Sequence, residues 1–187
     1  MNKHTQKPFS TKTLAYCALL AALSVVLARL IIPMPDSSTR FSIEAVPIYL
    51  AGMLFGPLAG GLVGFSADFV GCLFSGYGYN PIFALPPILY GVFGGLLRPL
   101  FHKGINIPRL IVGLLPPVVL GSVLYQSFTL AYVYFYETFW EGLILKLTSR
   151  SIQFAITLVL DAVVISLLFK TNIFNRLGLW KPKKEGE

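Results

Sequence analysis

Six apolar segments, separated by short polar or glycine- and proline-containing stretches, dominate this chain. An α-helix needs about 20 residues to cross the hydrocarbon core of a bilayer, and most of these segments approach that length. The predicted spans are residues 13–33, 43–55, 58–75, 82–98, 109–135 and 147–169. The second span is short, so we expect it to be tilted or to begin inside the protein, sheltered from lipid. The pattern therefore predicts an all-α membrane protein with six transmembrane helices in a compact bundle.

The same pattern divides the chain into a polar N-terminal tail (1–12), a six-helix transmembrane domain (13–169) and a C-terminal tail (170–187). The first apolar segment is longer than the apolar core of a signal peptide and no clear cleavage site follows it, so it is expected to be retained. Pro116-Pro117 lies near the start of the fifth span and predicts a kink there.

Composition supports the membrane assignment. Of the 187 residues, 55% are apolar and only 12% are charged, about half the charged fraction of a typical water-soluble domain. The net charge of +7 would suggest a nucleic-acid partner in a soluble protein. Here the basic residues lie in tails and loops, with no basic stripe carrying interleaved aromatic residues, so we exclude nucleic acid.

The distribution of basic residues predicts the orientation. With six spans both termini share one side, and that side carries eleven lysines and arginines. The opposite side and its nearby helix ends carry four, namely Arg29, Arg40, Lys146 and Arg150. The positive-inside rule then places both termini in the cytoplasm of a multi-pass protein of the cell membrane.

Five charged residues lie close to the predicted outer ends of the spans: Arg29, Arg40, Glu44, Asp68 and Arg150. Charges inside a bilayer cost from about 3 kcal/mol upwards, which favours a polar cavity that opens outward and binds an anion. Alternatively the arginines extend to lipid headgroups. Asp68 is too short for that, so its alternative is a hydrogen bond or ion pair between helices.

Other polar and aromatic residues are weaker candidates. Gln126 and Gln153 are polar groups in apolar helices and are predicted either to contact a ligand or to hold helices together. Tyr77 and Asn80, in the outer loop, are candidates for contact with a flat ring, although aromatic residues are also common at membrane interfaces. Asp161 lies deeper, and we expect it to be paired structurally.

Small residues recur at four-residue spacing, which permits close helix packing. Gly52, Gly56, Gly60 and Gly64 are expected to pack within the chain, whereas a small-residue stripe on the first span could equally face a partner protein. The two cysteines are expected to be unpaired. The sequence contains no metal-binding histidine cluster, no ATP-binding P-loop and no recognisable catalytic motif, so we predict neither a metal site nor an enzyme.

The stretch FSIEAVPIYLAGMLFGPLAGGLVGFSAD (41–68) resembles the hairpin of spans 2 and 3 in the substrate-binding S components of energy-coupling factor (ECF) vitamin transporters. Ala18 and Ala22 match the AxxxA signature of the family's first helix. The order of residues around the hairpin is most similar to the folate-specific members. Many of these carry a PGFT-type motif after the outer loop, which NPIFALPP (80–87) matches only partly.

The resemblance implies a protein that binds a vitamin from outside and docks onto a module of one transmembrane scaffold subunit and two ATPases. Ala18 and Ala22 would contact the scaffold. If the substrate is folate, Asp68 and then Glu44 are the first candidates to accept hydrogen bonds from the pterin. Tyr77 would stack on the ring, and the arginines at positions 29, 40 and 150 would bind the carboxylates. No further cofactor is expected.

Three alternatives remain open from the sequence. The substrate of an S component with this sequence could be another vitamin, such as riboflavin, thiamine or pantothenate. The protein could instead be an autonomous facilitator for a small anion, which would need no partner subunits. A membrane enzyme acting on lipid headgroups ranks last, because no catalytic group is recognisable.

Overall fold

The computed structural model describes residues 10–29, 32–33, 40–74, 79–102 and 104–180. Its helices are α1 (Thr11–Leu27), α2 (Ala45–Phe55), α3 (Pro57–Leu73), α4 (Leu85–Leu96), α5 (Arg98–His102), α6 (Ile107–Pro117), α7 (Gln126–Tyr134), α8 (Phe139–Lys170) and α9 (Ile173–Arg176). Strands β1 (Ile32–Pro33) and β2 (Arg40–Phe41) form a short antiparallel pair. The predicted all-α class is confirmed apart from this pair of two-residue strands, which was not predicted from the sequence.

Several predicted boundaries differ from the observed ones. The first span was predicted to reach residue 33, but α1 ends at Leu27 and a strand occupies Ile32–Pro33. The last span was predicted to begin at residue 147, whereas α8 begins at Phe139. The stretch before residue 147 is helical despite its acidic and aromatic side chains, because polarity alone does not end a helix that continues from a well-packed segment.

A π-helix (Val118–Tyr125) connects α6 to α7, and a short 3-10 helix (Pro81–Ala84) precedes α4. The π-helix begins directly after Pro116 and Pro117, at the position where the sequence predicted a kink. Proline has no backbone N–H, so this pair removes two helical hydrogen bonds and lets the following turns widen. The widened segment also contacts Arg150 of α8.

Helix α2 lies at the centre of the bundle. Every residue from Val46 to Leu54 is buried, and the helix packs against α1, α3, α4 and α8. The short second span is therefore sheltered from lipid, as predicted. At its start Ser24 of α1 donates a hydrogen bond to the carbonyl oxygen of Glu44 at 2.7 Å, which ties the two helices together.

Glycines bring α2, α3 and α4 into backbone contact. A Cβ atom at Gly52 or Gly60 would meet the carbonyl oxygen of Gly91, and one at Gly64 would meet that of Pro87. Gly56 turns the chain between α2 and α3 with φ = +99°, a conformation that favours glycine. The prediction that these glycines serve packing within the chain is confirmed for Gly52, Gly60 and Gly64, whereas Gly56 has no heavy atom within 4 Å of its Cβ position and serves the turn.

The outer surface of the bundle is apolar. Leu62 on α3, Val112 on α6 and Ile152 on α8 are each at least half exposed, together with many similar side chains. Soluble monomers rarely expose so large an apolar surface. Two continuous helical stretches, Ile107–Tyr134 and Phe139–Lys170, are long and apolar enough to cross a membrane by length and composition.

Contacts define two ends of the bundle. At the end where α1 begins and α8 ends, here called the terminal end, Tyr16 stacks on Phe55 with ring centroids 6.0 Å apart. At the other end, called the open end, Arg29 donates a hydrogen bond to the carbonyl oxygen of Gly71. At the same end the hydroxyl of Tyr125 donates a hydrogen bond to the carbonyl oxygen of Ile82 at 2.9 Å. Both described cysteines are unpaired, as predicted.

Candidate ligand-binding site

A polar stripe runs along the inner face of α8. Arg150, Gln153, Thr157 and Asp161 are spaced by three, four and four residues, so they lie on one side of the helix. Gln153, Thr157 and Asp161 are buried, and Arg150 is half-buried. In a helix whose other faces are apolar, this stripe makes the interior of the bundle polar between mid-depth and the open end.

Polar groups from three other parts of the bundle lie close to this stripe. The hydroxyl of Ser122 in the π-helix donates a hydrogen bond to the hydroxyl of Tyr90 on α4, at 3.3 Å and fully buried. Tyr90 lies within electrostatic range of Glu44, Arg150 and Asp161, and Glu44 also lies within range of Asp161. We call these six residues, Glu44, Tyr90, Ser122, Arg150, Gln153 and Asp161, the polar core.

Arg150 is held in place by two contacts. Its Nε donates a hydrogen bond to the carbonyl oxygen of Ser122 at 2.9 Å, and its guanidinium lies 5.2 Å from the centre of the Phe154 ring. Because Nε is hydrogen-bonded to the backbone, the planar guanidinium is held in a fixed orientation. An arginine held in this way suits the recognition of a carboxylate, because its terminal N–H groups match the two oxygens.

Asp161 is 1% exposed, and neither carboxylate oxygen has a hydrogen-bond partner among the described residues. The structural pairing that the sequence predicted for it is therefore not found in this part of the chain. The nearby acidic group, Glu44, has the same charge sign and does not compensate it. A buried carboxyl group without a partner is costly, and the N–H donors of a ligand would remove that cost.

Asp68 and Arg29 lie in a different place, at the open end between α1 and α3. Arg29 is exposed, and its Nη2 donates to the carbonyl oxygen of Gly71 at 2.9 Å. Asp68 is half-buried, and its Oδ2 is buried without a hydrogen-bond partner among the described residues. Both side chains lie within electrostatic range of Cys72, and Asp68 also of Tyr79.

The predicted charged residues thus fall into two groups. Helix α3, with Asp68, packs mainly on α1, α2 and α4, whereas α8, with Arg150, packs mainly on α6, α7 and the π-helix. Glu44, at the start of the central helix α2, joins the polar core. That one ligand contacts both groups stays a prediction.

The other residues that were predicted to contact a ligand lie in different parts of the chain. The Asn80 side chain accepts a hydrogen bond from the Ile82 backbone N–H at 3.1 Å and so caps the 3-10 helix. Gln126 is half-buried at the first position of α7. Tyr77 lies outside the described residues, and so does the side chain of Arg40, whose backbone pairs with Pro33.

The alanine pair lies on an open face. Ala18 and Ala22 are both exposed on α1, and the neighbouring Leu14, Leu19 and Val26 are 59–62% exposed. These side chains form an exposed apolar strip along α1. Contact with a scaffold subunit stays a prediction.

Sequence reasoning did not select Tyr90, Ser122 and Asp161 as ligand contacts. The spacing of Arg150, Gln153 and Asp161 on one helical face is a signal that the sequence already contains. Tyr90 and Ser122 carry no comparable signal, because a single hydroxyl in an apolar helix has no pattern. No group of three or more metal-ligating side chains occurs in the described ranges.

Comparison with known proteins gives a consistent family. The sequence model described as "ECF-type riboflavin transporter, S component" matches residues 8–171. The folate transporter FolT of Clostridium novyi (strain NT) is 28% identical over 102 residues, which are 52% of this chain and 55% of that protein. The match thus spans little more than half the length of this curated relative.

Solved structures extend the similarity over nearly the whole chain. The crystal structure of FolT bound with folic acid has 27% identity and a TM-score of 0.70, and the match covers 87% of this chain and 95% of that one. ThiT from Listeria monocytogenes has 17% identity and a TM-score of 0.66, with 86% and 94% covered. The S component of a bacterial ECF transporter has 22% identity and a TM-score of 0.56, with 90% and 96% covered.

The last two structures, below 25% identity, show the fold alone. The family match is stronger evidence, because it includes well over half of the residues and all the helices from α1 to α8. It confirms the family predicted from the hairpin at residues 41–68. The chain belongs to the family of ECF-type riboflavin transporter S components, which are membrane-embedded transporter subunits and not enzymes.

Proposed function

We propose that this chain is a folate-binding S component that captures folate from outside the cell and delivers it to an ATP-driven module. The observation that carries the proposal is the match to FolT bound with folic acid. It combines 27% identity with coverage of 95% of that chain. The curated folate transporter from Clostridium novyi is a second relative of the same kind.

The chemistry of the polar core supports a folate ligand. A pterin ring presents an amino group and a ring N–H on one edge, and these donors suit the carboxyl groups of Glu44 and Asp161. The glutamate portion of folate carries two carboxylates, and Arg150 holds a fixed guanidinium for one of them. Arg29, at the open end, is a candidate for the other.

Delivery requires partners, because the chain contains no ATP-binding P-loop. In this proposal the open face of α1 around Ala18 and Ala22 docks onto a scaffold subunit that is itself bound to two ATPases. The protein is a multi-pass protein of the cell membrane with six spans. Its terminal end faces the cytoplasm, in agreement with the excess of basic residues there.

Riboflavin is the second candidate substrate, because the family description names riboflavin transporters. Its ring system has a single ring N–H, and its side chain carries hydroxyl groups and no carboxylate. Riboflavin can donate hydrogen bonds from its ring N–H and its hydroxyl groups to acidic residues, but it has no carboxylate that matches the guanidinium of Arg150. The composition of the polar core therefore favours folate.

Calorimetric titration of the purified protein with folic acid and with riboflavin tests the proposal. We expect saturable binding of folic acid with a dissociation constant at least tenfold below that of riboflavin, a difference of about 1.4 kcal/mol. Tighter binding of riboflavin would reassign the substrate. The absorbance and mass of any ligand that copurifies with the protein give an independent identification.

Uptake measurements test delivery separately. Liposomes containing this chain alone should accumulate no folate, whereas liposomes that also contain the scaffold and ATPase subunits should do so when ATP is enclosed. Accumulation by the chain alone, without ATP, would instead support an autonomous facilitator.

A further inference from the structure

A cavity of about 190 Å³ lies at the terminal end of the bundle, on the side of α8 that leads into α9. Phe101, Ile105, Phe169 and Trp180 form its apolar walls, and Lys170 is the charged residue that lines it. None of the residues that line this cavity belongs to the polar core, and the lining residue of α8 nearest to Asp161 is Ser166, five residues later, a rise of about 7.5 Å.

The cavity is open to the surface, and its walls are well-packed aromatic groups. Trp180 is 4% exposed, and its ring packs edge-to-face on Phe169 with centroids 5.5 Å apart. The backbone N–H of Trp180 donates to the carbonyl oxygen of Phe174 at 3.2 Å, which folds the segment after α9 back onto the bundle. On the opposite side Arg109 donates to the carbonyl oxygen of Gly104, which also lines the cavity, at 3.0 Å.

The electrostatic environment of the cavity is positive. Arg98, Arg109, Lys170 and Arg176 lie at the terminal end. All the acidic residues in the described ranges lie instead in the polar core or towards the open end; they are Glu44, Asp68, Glu137, Glu141 and Asp161. No carboxylate in the described part of the chain therefore neutralises this cluster of cations.

Arg98 connects this charge to the cavity. Its guanidinium lies 5.8 Å from the centre of the Trp180 ring, which forms a cavity wall. Its Nε is buried and has no hydrogen-bond partner among the described residues. Arg98 is not among the residues that line the cavity, so it contributes positive charge behind the Trp180 wall.

We infer that this cavity binds the phosphate group of an anionic phospholipid from the adjacent membrane leaflet. The phosphate lies beside Lys170, with the charge of Arg98 behind the Trp180 ring, and the glycerol and the first acyl carbons contact Phe101, Phe169 and Trp180. The apolar walls favour a lipid over free inorganic phosphate, which has the same charge but no apolar part. Basic pockets between membrane helices on the cytoplasmic side commonly bind anionic headgroups in this way.

Native mass spectrometry of the full-length protein in detergent tests this inference. The probes are phosphatidylglycerol, phosphatidylcholine with the same acyl chains, and inorganic phosphate as a competitor. We expect phosphatidylglycerol to bind at least fivefold more tightly than phosphatidylcholine. The Lys170→Gln variant should bind phosphatidylglycerol about fivefold more weakly than the unmodified protein does. Lys12→Gln, at the same end but away from the cavity, should leave binding unchanged.

A second variant tests the cavity without changing its charge. Ile105→Trp fills the space between the walls and should abolish the preference for phosphatidylglycerol, while a melting curve without lipid shows whether the variant folds. Equal binding of the two lipids, or unchanged binding by Lys170→Gln and by a folded Ile105→Trp, would overturn the inference. Complete competition by inorganic phosphate at the concentration of the lipid would also overturn it, since the ligand would then be a free anion.

Discussion

Arg150 on α8 donates a hydrogen bond from Nε to the carbonyl oxygen of Ser122, 28 positions earlier, at 2.9 Å. The acceptor belongs to the π-helix that follows Pro116 and Pro117. The contact therefore links a helix irregularity to the guanidinium that we assign to a folate carboxylate. π-Helices often occur at functional sites, and here the irregular backbone provides an anchor for a binding residue.

Arg150→Lys should weaken folate binding by at least tenfold. Lysine has one compact ammonium group, which cannot contact the Ser122 carbonyl and a ligand carboxylate with the geometry of a guanidinium. A hydrogen bond to a charged group contributes about 1.5–3 kcal/mol, so the expected loss is roughly 10- to 150-fold. Calorimetric titration with folic acid measures the effect.

The matched control is Arg176→Lys, the same substitution at an exposed position of α9 at the terminal end. It should bind folate as the unmodified protein does. If Arg150→Lys also binds folate normally, the arginine serves helix packing, and the carboxylate must be bound elsewhere.

Asp161→Asn should raise the melting temperature of the ligand-free protein and weaken folate binding. The carboxyl group of Asp161 is buried without a hydrogen-bond partner among the described residues, so a neutral amide removes part of the cost of burying it. The amide retains one oxygen but places an N–H₂ group where the pterin needs an acceptor. Loss of a buried charged contact typically costs about 2–5 kcal/mol of binding free energy.

Thr129→Val is the control for this prediction, because Thr129 is also buried but donates at 2.9 Å to the carbonyl oxygen of Tyr125, the last residue of the π-helix before α7. Its folate affinity should not change. Melting curves with and without folate separate the two effects of Asp161→Asn. A variant that is less stable without ligand and binds folate normally would show that Asp161 has a structural role.

Helical class and approximate span positions could be predicted because apolar runs of this length leave few alternatives in a bilayer. The end of α1 could not be predicted, since Pro33 is the first residue after Leu27 that strongly disfavours a helix. No local sequence pattern predicts the pairing of Ile32–Pro33 with Arg40–Phe41. The start of α8 was predicted eight residues too late for the opposite reason. The first two turns of this helix contain aromatic and charged side chains, Phe139, Trp140, Glu141 and Lys146, but are still helical.

The site was predicted less completely. Arg150, Gln153 and Glu44 were selected from their charge or polarity, and the structure brings them to the polar core. Asp161 was assigned to structural pairing because depth along the helix was considered without the face on which it lies. The contact between Ser122 and Tyr90 joins residues 32 positions apart on different elements, and only the packing of the π-helix against α4 brings them together.

Gly91→Ala should destabilise the protein strongly. A Cβ atom at this position would meet the backbone of Gly60 and Gly61, so α3 and α4 would have to separate. Overpacking of this kind costs about 1–3 kcal/mol. Each kcal/mol lowers the melting temperature of a protein of this size by roughly 2–4 °C, which a thermal melt in detergent detects.

Gly71→Ala provides the matched comparison, since no heavy atom lies within 4 Å of the position of a new Cβ atom at Gly71 in α3. Alanine favours a helix by about 1 kcal/mol over glycine, so this variant should be as stable as the unmodified protein or more so. Equal melting temperatures for the two variants would mean that α3 and α4 do not need their close contact.

Ala18→Trp should abolish folate uptake by the complete transporter and leave folate binding by the purified protein intact. Ala18 is exposed on α1, away from the polar core, so a bulky side chain there disturbs an approaching helix without disturbing the ligand. Uptake into liposomes and calorimetric titration measure the two properties on the same variant. Leu160→Trp, at a 44% exposed position of α8, should retain both. Normal uptake by Ala18→Trp would show that the scaffold docks on another face.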